Sequence, residues 1–205
     1  DPVKFAQPDD AFLTVLRQRV DDMFNNTGRR RRDCAAMYIK TLVIAIWFAT
    51  SYGLLVFLAA TWWQAIPLTI SLGLAMASIG FNIQHDGAHS AYSNRKWVNS
   101  LMAMTLDLLG GSSFYWKKTH NQVHHSYTNI TGHDGDIDMG ALGRLSPHQQ
   151  SRWFHRLQHL YLWVLYGFLP FKWQFYDDMR GVLTGRIGLN RFARPRGRHL
   201  AVFVG

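Results

Sequence analysis

Residues 41–84 read TLVIAIWFATSYGLLVFLAATWWQAIPLTISLGLAMASIGFNIQ, a run of 44 residues with no Asp, Glu, Lys, Arg or His. A water-soluble domain rarely needs such a run. It divides into two spans, residues 42–61 and 66–84, each with the roughly 20 residues that a ~30 Å hydrocarbon layer requires. Trp62-Trp63-Gln64-Ala65 reads as the turn between them, with two indoles suited to the membrane interface. Pro67 falls near the start of the second helix, where its missing N–H is harmless. The sequence therefore predicts an all-α protein built on an integral membrane helical hairpin, both ends of which emerge on one side.

That side carries the positive charge. Arg29, Arg30, Arg31, Arg32 and Lys40 precede the first span; Arg95, Lys96, Lys117 and Lys118 follow the second. The bias of Lys and Arg toward the cytoplasm assigns both ends of the hairpin to that face. The arginine run lies directly before an apolar span, which favours topology over nucleic-acid binding, and no nucleic-acid partner is expected. The chain divides into an N-terminal cytoplasmic segment (1–40), the hairpin (42–84), a cytoplasmic region with interfacial helices (85–199), and residues 200–205, which read as the entry to a third span. Within residues 1–26, Phe12, Leu13, Leu16, Val20 and Phe24 mark a weakly amphipathic, surface-lying helix. Two shorter apolar stretches, 101–114 and 157–171, are expected in the interface or against the spans.

Composition narrows the chemistry. The 205 residues include 22 Lys and Arg against 13 acidic residues, all of them Asp. Without Glu there is no His-Glu-x-x-His zinc helix and no Glu-bridged di-iron bundle. One cysteine, Cys34, allows neither an intrachain disulfide nor a Cys-x-x-Cys zinc site. Histidine is abundant, with 10 in the chain. His85-Asp-Gly-Ala-His89 begins where the second span ends, and His120-Asn-Gln-Val-His124-His125 follows some 30 residues later. Residues four apart share one face of a helix, so His85 can pair with His89 and His120 with His124. His125, turned about 100° further round an α-helix, would reach a neighbouring ion. A single His-x-x-x-His is weak, as His155 and His159 show: they have the same spacing and read as decoration on an amphipathic helix. Two boxes at one membrane boundary are a stronger signal. Five imidazoles exceed one tetrahedral zinc site. They suit a two-metal centre, with iron the choice that explains a location where O2 and alkyl chains both partition.

Asp134-Gly-Asp136-Ile-Asp138 imitates the start of an EF-hand, but Met139 stands where Gly is needed and Leu145 where Glu is needed. The acidic residues of this stretch, Asp134 and Asp138 foremost, together with His133, read as acceptors that orient ligand imidazoles, or equally as a solvated acidic turn. Asp86 and Asn121, inside the boxes, have the same candidate role.

These boxes resemble the first two histidine boxes of the membrane fatty acid desaturases. The stretches Phe81 to Ser93 and His124 to Asp134 are similar to the front-end, Δ6-type (linoleoyl-CoA desaturase-like) branch. The resemblance implies a partial desaturase fold, with His85, His89, His120, His124 and His125 as metal ligands and catalytic residues, two Fe ions as cofactor and O2 as co-substrate. It implies removal of hydrogen from two neighbouring methylenes of a fatty acyl-CoA or acyl-lipid, with membrane lipid around the protein and cytochrome b5 or ferredoxin as electron donor. Lys117, Lys118 and Arg95 could bind a CoA or lipid phosphate, although topology explains them as well. The family's third box, His/Gln-x-x-His-His, has no counterpart here, nor does the His-Pro-Gly-Gly of a fused cytochrome b5. Five box histidines are fewer than the family uses, so this chain alone is expected to be inactive and to hold iron weakly or not at all. The alternatives are an acyl hydroxylase on the same scaffold and a membrane metal-binding or transport protein. Against transport, the spans carry no His or charged residue, and the histidines sit at their edge.

Overall fold

The computed structural model describes residues 10–187, 190–192, 194 and 197. In them the regular structure is helical, apart from an antiparallel pairing of Arg186–Ile187 with Asn190–Arg191. Helix α1 (Asp10–Thr27) is followed by the arginine run, and α2 (Ala35–Leu58) and α3 (Trp62–Ala88) form the hairpin. Then come α4 (Lys96–Ala103), α5 (Thr105–Leu108), α6 (residues 113–127), a long loop with two 3-10 turns, and α7 (residues 158–184). The predicted third-span entry at 200–205 lies outside the described residues.

Among the described residues, two helices, α2 and α3, are long and apolar enough to cross a membrane. Only 11% and 17% of the residues in their most apolar windows are buried, which separates them from the core helices of a soluble protein. Phe57, Ile70 and Phe81 point outward, toward the positions that lipid tails occupy. The inward faces meet through Ile44, Ile79 and Ile83, with Phe48, Met102 and Leu109 packed against them. Polar contacts also join the pair. Trp47 Nε1 donates to Ser71 Oγ (2.9 Å), and Ser71 shares a second bond with Ser51 Oγ (2.8 Å). Small hydroxyl residues of this kind let helices approach closely in an apolar medium.

The hairpin departs from its sequence reading at the edges. Helix α2 starts at Ala35, before the apolar run, because 35–40 is an unbroken set of helix-compatible residues. The turn is at Ala59–Thr61, and Trp62-Trp63-Gln64-Ala65 is the first turn of α3. Gln64 Oε1 accepts from Ala60 N (2.9 Å) and so closes the turn from inside the helix. Pro67 consequently lies inside α3 rather than at its start, where it removes one backbone donor.

Neither shorter apolar stretch spans. Residues 101–114 are divided among α4, α5 and the beginning of α6. The stretch 157–171 belongs to the longer α7, on which Leu160, Trp163, Val164, Phe168, Phe171 and Phe175 are exposed. A row at spacings of three and four is what a helix lying in the membrane interface presents. The exposed Phe12, Leu13 and Leu16 give α1 a smaller version of the same face.

Candidate metal centre

Helix α3 runs past the apolar span and delivers His85 in its last turn. Immediately before it, Gly80–Gln84 is π-helical, a local widening that often marks functional sites. The helix stops at Ala88, and His89 holds the C-cap (φ −80°, ψ 2°). The chain then reverses through Ser90 (φ 56°). Box 1 lies flat on α4. A Cβ on Gly87 would sit 2.6 Å from Ala103 N, 2.6 Å from Met102 Cβ and 2.8 Å from Asn99 O. Glycine in His85-Asp-Gly-Ala-His89 is thus fixed by the approach of two backbones.

Box 2 lies on α6. Ser112 caps it by accepting from Tyr115 N (3.3 Å). From Lys117 to His124 this helix is π-helical. Its i→i+5 bonds widen the turn, so residues four and five apart flank the same face. This brings His125 round to the cluster, with its Nε2 3.3 Å from His89 Nε2.

All five box imidazoles gather in one place. Ring centroids are 4.5 Å apart for His85 and His89, 5.5 Å for His85 and His120, and 5.6 Å for His89 and His120. His125 is 4.8 Å from His89 and 4.9 Å from His120, and His124 is 5.0 Å from His120. Asn121 Nδ2 donates to Ala88 O (2.8 Å), fastening box 2 to the end of box 1. Asn121 therefore orients backbone and not an imidazole.

The acidic stretch sorts itself by distance. Asp134 is fully enclosed. It accepts from His124 Nδ1 (2.9 and 3.0 Å), Asn129 N (2.8 Å) and Asp136 N (3.0 Å). Asp136, which the sequence did not single out over its neighbours, accepts from His120 Nδ1 (3.0 Å). Asp138 is a correction: it turns outward and accepts from Gly140 N (2.9 Å), because a 3-10 turn at Gly135–Ile137 reverses its direction. His133 is another, since its ring stacks on Tyr127 at 5.0 Å and not on a box imidazole. Asp86 lies 3.9 Å from Lys40 Nζ and 3.7 Å from His85 Nδ1, too far to orient that ring by a hydrogen bond. His155 is neither ligand nor decoration. It is buried, accepts at Nδ1 from Arg152 N (3.1 Å) and meets Ala141 O through Nε2 (3.0 Å).

Among the described residues, two groups offer three donor atoms close enough for one ion: His85, His89 and His120, and His120, His124 and Asp136. In the first, all three donors are imidazole nitrogens. In the second, the Nδ1 atoms face carboxylate oxygens at hydrogen-bonding distance, and a carboxylate only accepts, so each Nδ1 carries a proton. That leaves Nε2 of His120 and His124 as bare lone pairs. His120 Nε2 is buried without a protein partner among the described residues, as a ligand nitrogen waiting for a cation would be. Burial, with His85 and His125 beside it, lowers the pKa of His89; burial, with His120 and His124, lowers that of His125. Both shifts favour the neutral form that binds metal. The donor set fits a centre of imidazole-preferring transition metal.

The family description "Fatty acid desaturase" matches residues 60–204 of the chain, α3 and both boxes included. The chain belongs to the fatty acid desaturase family. Among curated desaturases it is 40% identical to the sn-1 linoleoyl-lipid 6-desaturase of Arthrospira platensis over 81% of this chain and 45% of that protein. It is 40% identical to the protein of the same name from a Synechocystis species, over 85% of this chain and 48% of the relative. To the acyl-lipid (8-3)-desaturase of Physcomitrium patens it is 35% identical, over 97% of this chain and 42% of the relative. The chain spans about half the length of the desaturases it matches. No solved structure matches it.

Proposed function

We propose that this chain contributes two histidine boxes to an oxygen-dependent di-iron acyl-lipid desaturase. The observation that carries the reading is the convergence of five imidazoles from two helices, with carboxylates fixing the tautomers of His120 and His124. His85, His89, His120, His124 and His125 would hold iron, which supplies the oxidation of an unactivated C–H bond by O2. The protein's own part is positional. Asp134 and Asp136 hold protons at Nδ1 and keep Nε2 directed inward. Asn121 keeps the two boxes in register, and desolvation with the neighbouring imidazoles favours the neutral form of His89 and His125. The names of the relatives favour an acyl chain esterified in a lipid, of the linoleoyl type and attacked at carbon 6, over an acyl-CoA. Such a substrate reaches the boxes from the bilayer, since they stand at the end of a helix apolar enough to cross it. Electrons would come from a separate one-electron carrier, cytochrome b5 or ferredoxin, on the cytoplasmic side to which the arginine run assigns the boxes.

The test is a chimera in which this chain replaces the matching portion of the Synechocystis relative, produced in cells fed linoleoyl lipid. Gas chromatography is expected to show a product with one more double bond. His124→Ala is expected to abolish it while the protein remains in the membrane fraction. Retained product with His124→Ala would overturn the assignment, and a hydroxylated product would favour the hydroxylase alternative.

A further inference from the structure

Outside the histidines and their carboxylates, one aromatic side chain makes the tightest contact with the cluster. Trp116 lies one residue before the π-helical segment and four before His120. Its ring stacks on the His120 imidazole with centroids 4.5 Å apart and planes 20° from parallel. On the other face of His120, His124 stacks at 5.0 Å and 14°. Residues 116, 120 and 124 therefore form a three-ring pile along one side of α6, with His120 between the two outer rings. A second indole, Trp173 on the π-helical segment of α7, meets Trp116 edge-on at 6.3 Å and 69°. The Trp116 N–H is buried and makes no hydrogen bond among the described residues, so ring packing alone sets its orientation.

His120 is the imidazole on which the cluster turns. It neighbours His85, His89, His124 and His125. Its single bond to Asp136 at Nδ1 fixes the tautomer but leaves the ring able to rotate about that bond. A flat partner on each face removes this remaining freedom. We infer that Trp116 is a positioning residue: it sets the plane of His120 and hence the direction of the buried Nε2 toward the metal, with Trp173 tying that plane to α7. The inference rests on the metal reading above and adds to it a residue outside the histidine boxes.

The experiment uses the purified 205-residue chain in detergent, with Trp116→Leu and Trp116→Phe as variants. The first arm is free of metal: diethyl pyrocarbonate labelling of His120, followed by peptide mass spectrometry, with the exposed His159 as internal reference. Trp116→Leu is expected to speed labelling of His120 relative to His159, and Trp116→Phe to leave it near the wild-type rate. Equal His120 labelling in wild type and Trp116→Leu would overturn the inference. The second arm titrates Co2+ and records its visible absorption. Trp116→Leu is expected to weaken Co2+ binding about 10-fold and to shift the bands, and Trp116→Phe to restore both. Wild-type affinity and spectrum in Trp116→Leu would overturn the inference alone. Protected His120 in a wild-type chain whose Co2+ binding is unchanged by His89→Ala and by His120→Ala would instead overturn the metal reading beneath it.

Discussion

At the residue scale the centre depends on groups that bind nothing themselves. Gly87 is the clearest. Two backbone atoms and Met102 Cβ stand within 2.8 Å of where its Cβ would be, and none is the mobile end of a side chain. Gly87→Ala must push α3 away from α4 and tilt His85 and His89 with it. We expect a loss of about 1–3 kcal/mol, the usual cost of overpacking, read as a lower denaturation midpoint in detergent. Asp134 is the second case. Its carboxylate satisfies His124 and two backbone N–H groups, so Asp134→Ala leaves three donors without that acceptor. Metal affinity is expected to fall 10–100-fold, measured by competition with a chelator. An affinity within twofold of wild type would show that His124 needs no such partner. The choice among the acidic residues was not legible in the sequence. Asp134, Asp136 and Asp138 alternate identically, and only the 3-10 turn decides that the first two face imidazoles while the third faces solvent.

At the element scale the arginine loop and the turn after box 1 are clamped together. Asp33, in a left-handed conformation (φ 56°), accepts from Asn94 N (2.9 Å), Tyr38 Oη (2.8 Å) and Ser93 Oγ (2.5 Å). The backbone bond to Asn94, then those to Ser93 and Tyr38, lower its pKa from 3.8 to about 2. A folded value below the unfolded one means that the unfolded chain takes up the proton first. The contribution of the clamp is complete above about pH 4 and disappears as pH falls toward 2. Thermal scans across this window should show less acid sensitivity in Asp33→Asn than in wild type; equal slopes would remove the clamp from the account. The π-helical segments also belong to this scale. The boxes and their fourfold spacing were plain in the sequence, but nothing in Lys117 to His124 specifies i→i+5 over i→i+4 bonding. The sequence therefore left open how close His125 comes to His89. Trp116 was hidden for a related reason: an aromatic four residues before a histidine reads as core until the ring planes are seen.

At the scale of the whole molecule the charge and hydropathy pattern carried most of the fold. The uncharged run from 41 to 84 became the hairpin, and the families of helices predicted around it are present. What patterning could not supply was its edges. The helix-compatible residues 35–40 moved the start of α2 back, and one contact, Gln64 on Ala60, turned a supposed loop of two indoles into the first turn of α3. Convergence of the boxes likewise needs the chain to return from α4 and α5 to the end of α3, a tertiary event that Asn121 and Gly87 record but local spacing does not.

The central claim is that both boxes serve one metal centre. It is tested most directly by binding Cu2+, which imidazole sites take up strongly, to the purified chain and counting coordinated imidazoles by electron spin-echo modulation. The group formed by His85, His89 and His120 predicts three imidazoles on one ion, falling by one in His89→Ala and likewise in His120→Ala. A count that responds to substitution in only one of the two boxes would contradict it.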